Sequence, residues 1–196
     1  SEMCIRDRIL ISETRDPETA EACLDAAETG HLIFTAFHAS NAASTLWRYK
    51  EMQIPLYKVT ASVRGILAQR LLRTVCSCAT QRPVNEVESR FTGLRVGTPI
   101  CVASALSANE KAFKAREGTL CSRCGGIGYR GRIGIYAFLR ISPAIRNALC
   151  QGNSSERIEE IAVQEGMLTL KAYGAMLIEK QLTTISELQK IFPESP

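Results

Sequence analysis

From Ile9 the chain alternates short apolar runs with stretches of helical spacing. Ile9 to Ile11 is a brief apolar run that ends in the polar cluster Ser12-Glu13-Thr14-Arg15-Asp16. Asp16-Pro17-Glu18 then supplies an N-cap, a proline at the first helical position and an early acid, which together open a helix. Ala20, Cys23, Leu24 and Ala27 follow at the i, i+3, i+4, i+7 spacing of a buried stripe, and Gly30 is placed to end it. His31 to Phe37 is mostly apolar with little alternation, which predicts a strand buried in the middle of a parallel sheet. Strand, crossover helix and strand in this order make a βαβ unit, and the chain is read as α/β.

His38-Ala39-Ser40-Asn41 can cap a second helix over about 42–53, which Pro55 breaks. Val59, Val63, Ile66, Leu67 and Leu71 share a helical face, so a longer helix is predicted from about Tyr57 to Arg73, with Arg64, Arg70 and Arg73 off its buried stripe as solvated surface. Between Cys78 and Cys121, Pro83, Gly93, Gly97 and Pro99 interrupt any period; an irregular insertion with one strand near 95–102 is expected. Ile133 to Leu139 reads as a strand. Leu170, Tyr173, Gly174, Leu177 and Ile178 form one helical face, and Thr184-Ile185-Ser186-Glu187 is a capping box that opens a last helix.

Composition narrows the class. With 196 residues, 45% apolar and 22% charged, the chain can bury a core and is neither disordered nor fibrous. No run of 18 apolar residues and no secretory signal pattern occurs, so a cytosolic protein is expected. The balance of 24 basic to 20 acidic residues does not argue for nucleic acid. Ser1 to Arg8 does not join the pattern that follows and resembles the peptide encoded by sequencing-adapter DNA. It is set aside as a non-native leader, Cys4 with it, and the chain is expected to be a fragment of a protein that began earlier.

Three groups of residues could carry chemistry. Glu13 stands directly after a strand, at the carboxyl end where α/β sheets place ligands; it is either a solvated loop acid or one that orients a water or holds magnesium through a water. The two histidines, His31 and His38, bracket the next strand about 23 Å apart, too far to share a metal, and His38 emerges at the same sheet edge as Glu13. His31 reads more simply as a histidine with a satisfied hydrogen bond. Cysteines supply the third group. Cys76-x-Cys78 and Cys121-x-x-Cys124, the second followed by glycines at 125, 126 and 128, offer four thiolates to a closed tetrahedral zinc site; free reduced cysteines are the alternative. The short first spacing leaves Cys101 as a substitute ligand, while Cys23 and Cys150 read as packing residues.

The segments Ser12-Glu13-Thr14-Arg15-Asp16-Pro17-Glu18-Thr19-Ala20 and Thr29-Gly30-His31-Leu32-Ile33-Phe34-Thr35-Ala36-Phe37-His38 resemble the Walker B and histidine-box segments of the secretion ATPases, which include the type II secretion and type IV pilus assembly ATPases. The likeness continues through Ala68-Gln69-Arg70-Leu71-Leu72-Arg73 and resumes at Cys121-Ser122-Arg123-Cys124, Gly128-Tyr129-Arg130-Gly131-Arg132 and Gly166-Met167-Leu168-Thr169-Leu170. It implies half of a RecA-like parallel sheet over 9–75, an inserted four-cysteine zinc module over 76–132, and a strand with a helical bundle over 133–196. It also implies a homo-hexamer that binds ATP, Mg2+ and Zn2+ on the cytoplasmic face of a bacterial inner membrane. Such a hexamer would be peripherally associated with platform and anchoring proteins there and would drive pilus or pseudopilus assembly, with no nucleic acid as partner. Glu13 would be the Walker B acid, acting near magnesium and the attacking water. His38 would act on the γ-phosphate side, Arg15 and Asp16 would belong to the Walker B motif, and His31 would lie in the histidine box on the nucleotide side. Cys76, Cys78, Cys121 and Cys124 would hold zinc.

Departures from the family pattern are Ser12 for glycine, Thr14 for isoleucine, Gln53 and Gln181 for glycines, and Ala137 for glutamate. No G-x-x-x-x-G-K-[ST] occurs in these 196 residues, so they contain no phosphate cradle, and the fragment is expected to be inactive alone. The rival reading is a non-catalytic, zinc-stabilised interaction module. Its knuckle also resembles that of heat-shock co-chaperones, with Arg123, Arg130 and Arg132 able to touch nucleic acid but only Tyr129 beside them to stack on a base.

Overall fold

The computed structural model describes residues 7–193. Of the expected non-native leader, Ser1 to Arg6 with Cys4 lies outside them. In chain order the elements are β1 (Arg8–Ile11), α1 (Pro17–Glu28), β2 (Leu32–Thr35), α2 (Ala42–Glu51), α3 (Leu56–Ser62) and β3 (Gly65–Val75). There follow β4 (Thr80–Pro83), α4 (Glu86–Thr92), β5 (Pro99–Val102), α5 (Ala108–Arg116) and β6 (Tyr129–Arg140). The chain continues with α6 (Pro143–Cys150), α7 (Ser155–Gln164), α8 (Leu170–Glu179) and α9 (Ile185–Ile191). Packing divides these into two units, each drawn from two stretches of chain. One holds the residues up to Ala68 with Ala137–Met167, the other Gln69–Tyr136 with the chain from Leu168 onward.

In the first unit β1, α1 and β2 form the expected βαβ unit, and β1 pairs with β2 in parallel, from Arg8↔Leu32 to Ile11↔Thr35. Asp16 caps α1 by accepting the Thr19 amide at 2.7 Å, with Pro17 at the first turn. The helix buries Ala20, Cys23 and Leu24, the stripe legible in the sequence. Asn41 caps α2 in a reciprocal box with Ser44. The core gathers Leu46 of α2, Val59 of α3, Leu139 of β6, Ile145 and Leu149 of α6 and Ile158 of α7, all but fully buried.

Two expectations change here. β2 is not enclosed on both faces: Leu32 and Phe34, with Leu10 of β1, are exposed, and among the described residues this sheet has two strands. An apolar run without alternation does not report how many neighbours cover it. The predicted helix from Tyr57 to Arg73 ends at Ser62, and β3 begins at Gly65. Leu67 and Leu71, expected on a buried helical face, are exposed, whereas Leu72 is buried. The cause is pairing with β6. The Ile141 amide donates to the Arg64 carbonyl at 3.1 Å and the Cys76 amide to the Gly128 carbonyl at 3.0 Å, so the two strands run antiparallel. A helical period in a short window is overridden when a partner strand claims the backbone.

The second unit replaces the expected irregular insertion with ordered elements. β4 and β5 pair antiparallel, Thr80↔Val102 to Pro83↔Pro99, around α4, whose capping box is Asn85 with Glu88. α8 buries Leu170, Gly174, Leu177 and Ile178 as its spacing predicts, while Tyr173 is half-buried and meets Tyr136 edge-on with ring centres 5.9 Å apart. A Cβ at Gly174 would overlap Leu188 of α9, so the glycine sets how closely these helices approach. Glu187 of α9 is buried and answered three times: by the Arg73 amide at 3.1 Å, the Arg73 guanidinium at 2.7 Å and the Lys190 ammonium at 2.6 Å. The Arg73 guanidinium lies 3.9 Å from the centre of the Tyr129 ring, and the Tyr129 hydroxyl is 2.9 Å from that of Thr184. Arg73, read as solvated surface, therefore ties β3 to β6 and α9.

Burial by itself would raise the pKa of Glu187, but Arg73 and Lys190 outweigh it and hold the carboxyl at about 2. Because the folded pKa is depressed, its contribution to stability is complete above the ordinary carboxylate range and is lost as pH falls from about 4.5 towards 2. Glu187→Ala should cost about 2–3 kcal/mol in urea unfolding at pH 7 by removing the buried carboxylate that accepts from Arg73. Lys190→Ala, which removes an exposed partner, should cost under about 1 kcal/mol. A Glu187→Ala penalty unchanged between pH 7 and pH 2.5 would show that the ion pair is not its source.

Candidate functional site

β1 and β2 end side by side, and their parallel pairing sends both chains out at one sheet edge. Glu13 leaves this edge two residues after β1, and His38 three residues after β2. They meet, with the His38 Nε2 2.7 Å from Glu13 Oε1, while Arg15 Nη2 donates to Glu13 Oε2 at 2.6 Å. Glu13 is only 18% exposed against 87% for the imidazole and 75% for the guanidinium, so a recessed carboxylate sits beneath two exposed caps. The hydrogen bond from Arg15 holds the Glu13 carboxyl below its usual range, against a smaller opposing effect of burial. An ionised acid so placed can accept a proton from water, orient it, or hold a cation through it, once an incoming anion draws the caps away.

Thr14 anchors this acid. It is buried, its amide donates to the Ala36 carbonyl at 2.9 Å, and its hydroxyl is 2.7 Å from that of Thr35. Sequence reasoning registered Thr14 only as a departure from pattern; a cross-strand hydroxyl pair has no signature within one strand. Asn41 also went unnoticed beyond its cap. Its Nδ2 donates to Glu159 of α7 at 3.1 Å, which fixes the turn that carries His38. The remaining candidates lie elsewhere. Asp16 spends both carboxylate oxygens on Thr19, as a cap. His31 stands before β2, at the edge opposite His38, with its Nδ1 3.1 Å from the Ala26 carbonyl at the end of α1. The structure does not bring His31 to Glu13.

The second cluster lies in the other unit. The sulfurs of Cys76, Cys78, Cys121 and Cys124 are all within 4.8 Å of one another, with Cys76 to Cys121 at 3.9 Å and Cys78 to Cys124 at 3.6 Å. A disulfide requires about 2.05 Å. Tetrahedral zinc with bonds of about 2.3 Å places its sulfurs about 3.8 Å apart, so the donor set fits such an ion. Cys76 and Cys78 follow β3, and the other pair sits on a knuckle where Gly125, Gly126 and Gly128 take positive φ. These left-handed residues turn the chain so that the Gly128 amide points at the Cys124 sulfur, 3.4 Å away. That amide lowers the Cys124 thiol to about 6, and the amides of Cys124 and Arg123 lower Cys121. Burial, and after it the neighbouring sulfurs, push Cys78 up to about 12.

Cys101 is not among the four: it lies buried in β5, opposite Gln81 of β4, so it is corrected from substitute ligand to packing residue. Cys23 is buried as expected. Cys150 ends α6 exposed, which corrects its reading as a packing residue.

The profile of the family described as type II/IV secretion system protein matches residues 6–190. The chain belongs to this family. Among the relatives of this type II/IV secretion system protein is the type IV pilus assembly ATPase PilB of Thermus thermophilus, 34% identical over 93% of this chain and 19% of the relative. PilB of Pseudomonas aeruginosa is 33% identical over 94% of this chain and 31% of its own length. Type II secretion system protein E of Dickeya dadantii is 31% identical over 96% and 35%. The chain thus spans about a third or less of these relatives. Among solved structures, the pilus retraction motor PilT with bound ADP aligns over 96% of this chain and 40% of that one, with a TM-score of 0.60 and 22% identity. The Legionella pneumophila ATPase DotB aligns with a TM-score of 0.58 and 16% identity, over 95% and 38%. Both likenesses are of fold.

For this secretion-family chain the donor geometry has a spectroscopic check. Cobalt(II) added to the reduced chain should bind once per chain with the thiolate-to-metal absorption of a tetrahedral site. Cys124→Ser should weaken that binding by more than the about 10–100-fold typical of an outer-shell loss, and Cys101→Ser should leave it unchanged. A spectrum lost in Cys101→Ser would reassign the ligands.

Proposed function

We propose that this chain is the part of a secretion or pilus-assembly ATPase that supplies its Walker B acid and a structural zinc module. It would work within a homo-hexamer that meets inner-membrane platform and anchoring proteins and is itself peripherally associated with the cytoplasmic face. The observation that carries the reading is the recessed Glu13 carboxylate, 2.7 Å from His38, at the carboxyl edge of two parallel strands in a chain of this family. ATP and Mg2+, when bound, would supply the transferable phosphoryl group and neutralise its charge, and in such reactions the protein mostly positions and stabilises.

In this reading Glu13 orients the attacking water and takes up its proton as the water oxygen bonds to the terminal phosphorus and the bond to the leaving ADP oxygen breaks. His38 leaves the carboxylate for the terminal phosphate, and Arg15 keeps Glu13 ionised while the site is empty of substrate. Asp16 and Thr14 serve by position, one starting α1 and the other tying the acid to β2. The nucleotide-side role implied for His31 has no support in its placement. Zinc would be held by Cys76, Cys78, Cys121 and Cys124 as a closed structural site. Among the described residues no helix is long and apolar enough to cross a membrane, which suits attachment through partners or surface.

In a protein carrying this chain together with a phosphate loop, Glu13→Gln should lower kcat by about 100-fold or more with KM for ATP changed only a few-fold, since the lost contact acts in the transition state. In the free enzyme the Arg15 hydrogen bond keeps Glu13 ionised as pH falls to its usual 4.5, so no loss of kcat/KM from its protonation should appear down to about pH 5. The 196-residue chain alone should not turn over ATP. Turnover by the chain alone that vanishes in Glu13→Gln would overturn the need for a phosphate loop. Glu13→Gln without effect in the longer protein would favour a zinc-stabilised interaction module instead.

A further inference from the structure

His38 is 87% exposed, so the packing of its own side chain does not decide where the imidazole stands, and the backbone on either side of it must. Before it, Phe37 packs against the core of the first unit and meets Tyr49 of α2 with ring centres 4.8 Å apart. After it, Asn41 starts α2. His38, Ala39 and Ser40 are all that lies between these two points. The turn is therefore as well placed as Phe37 and Asn41 are.

Asn41 uses the two ends of its side-chain amide differently. Its Oδ1 accepts the Ser44 amide at 2.7 Å as the cap of α2, and its backbone amide donates to Ser44 Oγ at 3.1 Å. The cap thus fixes which way the side chain faces, and Nδ2 is turned to α7, where Glu159 Oε2 accepts it at 3.1 Å. A cap alone does not call for asparagine, since aspartate and serine cap about as well. What asparagine adds is the donor. Glu159 is firmly placed to receive it: it follows Ile158, which is fully buried in the same core as Leu46 of α2, and Ser142 Oγ donates to Glu165 at the far end of α7. The acid is half-buried, and among the described residues it is in no ion pair. Burial, and after it Glu156, raise its pKa. A half-buried carboxylate without a cation is costly to keep, and its bond to Asn41 is the return on that cost.

We infer that Glu159 is a positioning residue of the acid site: through Asn41 it holds the turn over 38–41, and so the His38 imidazole, in place over Glu13. This role rests on the function proposed above for one point, that His38 acts on the terminal phosphate. Misplacing a reacting group by about 1 Å can cost about 100-fold in rate, so a turn held at both ends has a kinetic use that a helix cap has not. Control of the histidine then lies partly in α7, since Glu159 stands 118 residues beyond Asn41 in the chain. The polarity of the contact gives it a signature. Asn41→Asp keeps the cap but sets one carboxylate against another, and adding Glu159→Gln restores a hydrogen bond with donor and acceptor exchanged.

The 196-residue chain, loaded with zinc, has two histidines, so the His38 ring protons can be followed by NMR and their cross-relaxation with the Glu13 side chain reports the contact. That signal should be lost in Asn41→Asp and in Glu159→Ala. It should be unchanged in Glu159→Gln, whose Oε1 still accepts, and should return in the double variant Asn41→Asp with Glu159→Gln. In a protein that also carries a phosphate loop, kcat should fall about tenfold in Asn41→Asp, with KM for ATP within about threefold, and should recover in the double variant. Asn41→Ser, which keeps a cap and lacks the amide, serves if Asn41→Asp does not fold. A His38 to Glu13 signal unchanged in Asn41→Asp and Glu159→Ala would overturn the inference, as would its failure to return in the double variant. A signal lost and restored as expected while kcat stays level would uphold the placement of His38 by Glu159. It would remove His38 from the reaction, a failure of the proposed function alone.

Discussion

The acid site depends on one backbone arrangement, the parallel register of β1 with β2. Ile11 opposite Thr35 places the two strand ends level, so the residues that follow diverge from a common edge. A one-residue slip would turn every side chain of a strand to the other face and carry Thr14 away from Thr35. The hydroxyl pair between those threonines, and the Thr14 amide on Ala36, extend the pairing beyond the last strand residues to the base of Glu13. The carboxylate is thus set by the sheet, while its caps, His38 and Arg15, lie exposed over it. A sheet-anchored acid under exposed groups suits a site that must stay ionised and yet admit an anion.

The other unit solves a different problem. Its segment from β4 to the knuckle has two four-residue strands and two short helices, one of which buries nothing. Such a segment encloses too little apolar surface to hold itself, and small modules of this kind depend on a staple. Four sulfurs drawn from the end of β3 and from the knuckle provide one, because they join stretches of chain more than forty residues apart. The Arg73, Glu187 and Tyr129 network adds a second tie, from β3 and β6 to α9.

What could be read in the sequence was local. The cap, proline and stripe of α1, the N-caps of α2 and α9, the buried face of α8 and the break at Pro55 are each decided within a few residues, and the structure contains them; the reciprocal half of the box expected at α9 is missing, because the Glu187 carboxylate goes to Arg73 and Lys190. The grouping of the cysteines was legible too, because a thiol pair at knuckle spacing followed by glycines has few other uses. The family likeness rested on several such short motifs in order.

Tertiary structure decided whatever depends on a partner distant in sequence. Residues 65–75 carry a helical stripe, but β6 pairs with them from more than fifty residues away, and backbone pairing outweighs a weak local preference. Cys101 was excluded from the cluster by the β4–β5 pairing that buries it, and Arg73 was drawn inward by a glutamate over a hundred residues later. Residue types and spacing determined which side chains were available for chemistry. Strand register and packing decided which of them meet, because those are set by contacts that no single stretch of sequence contains.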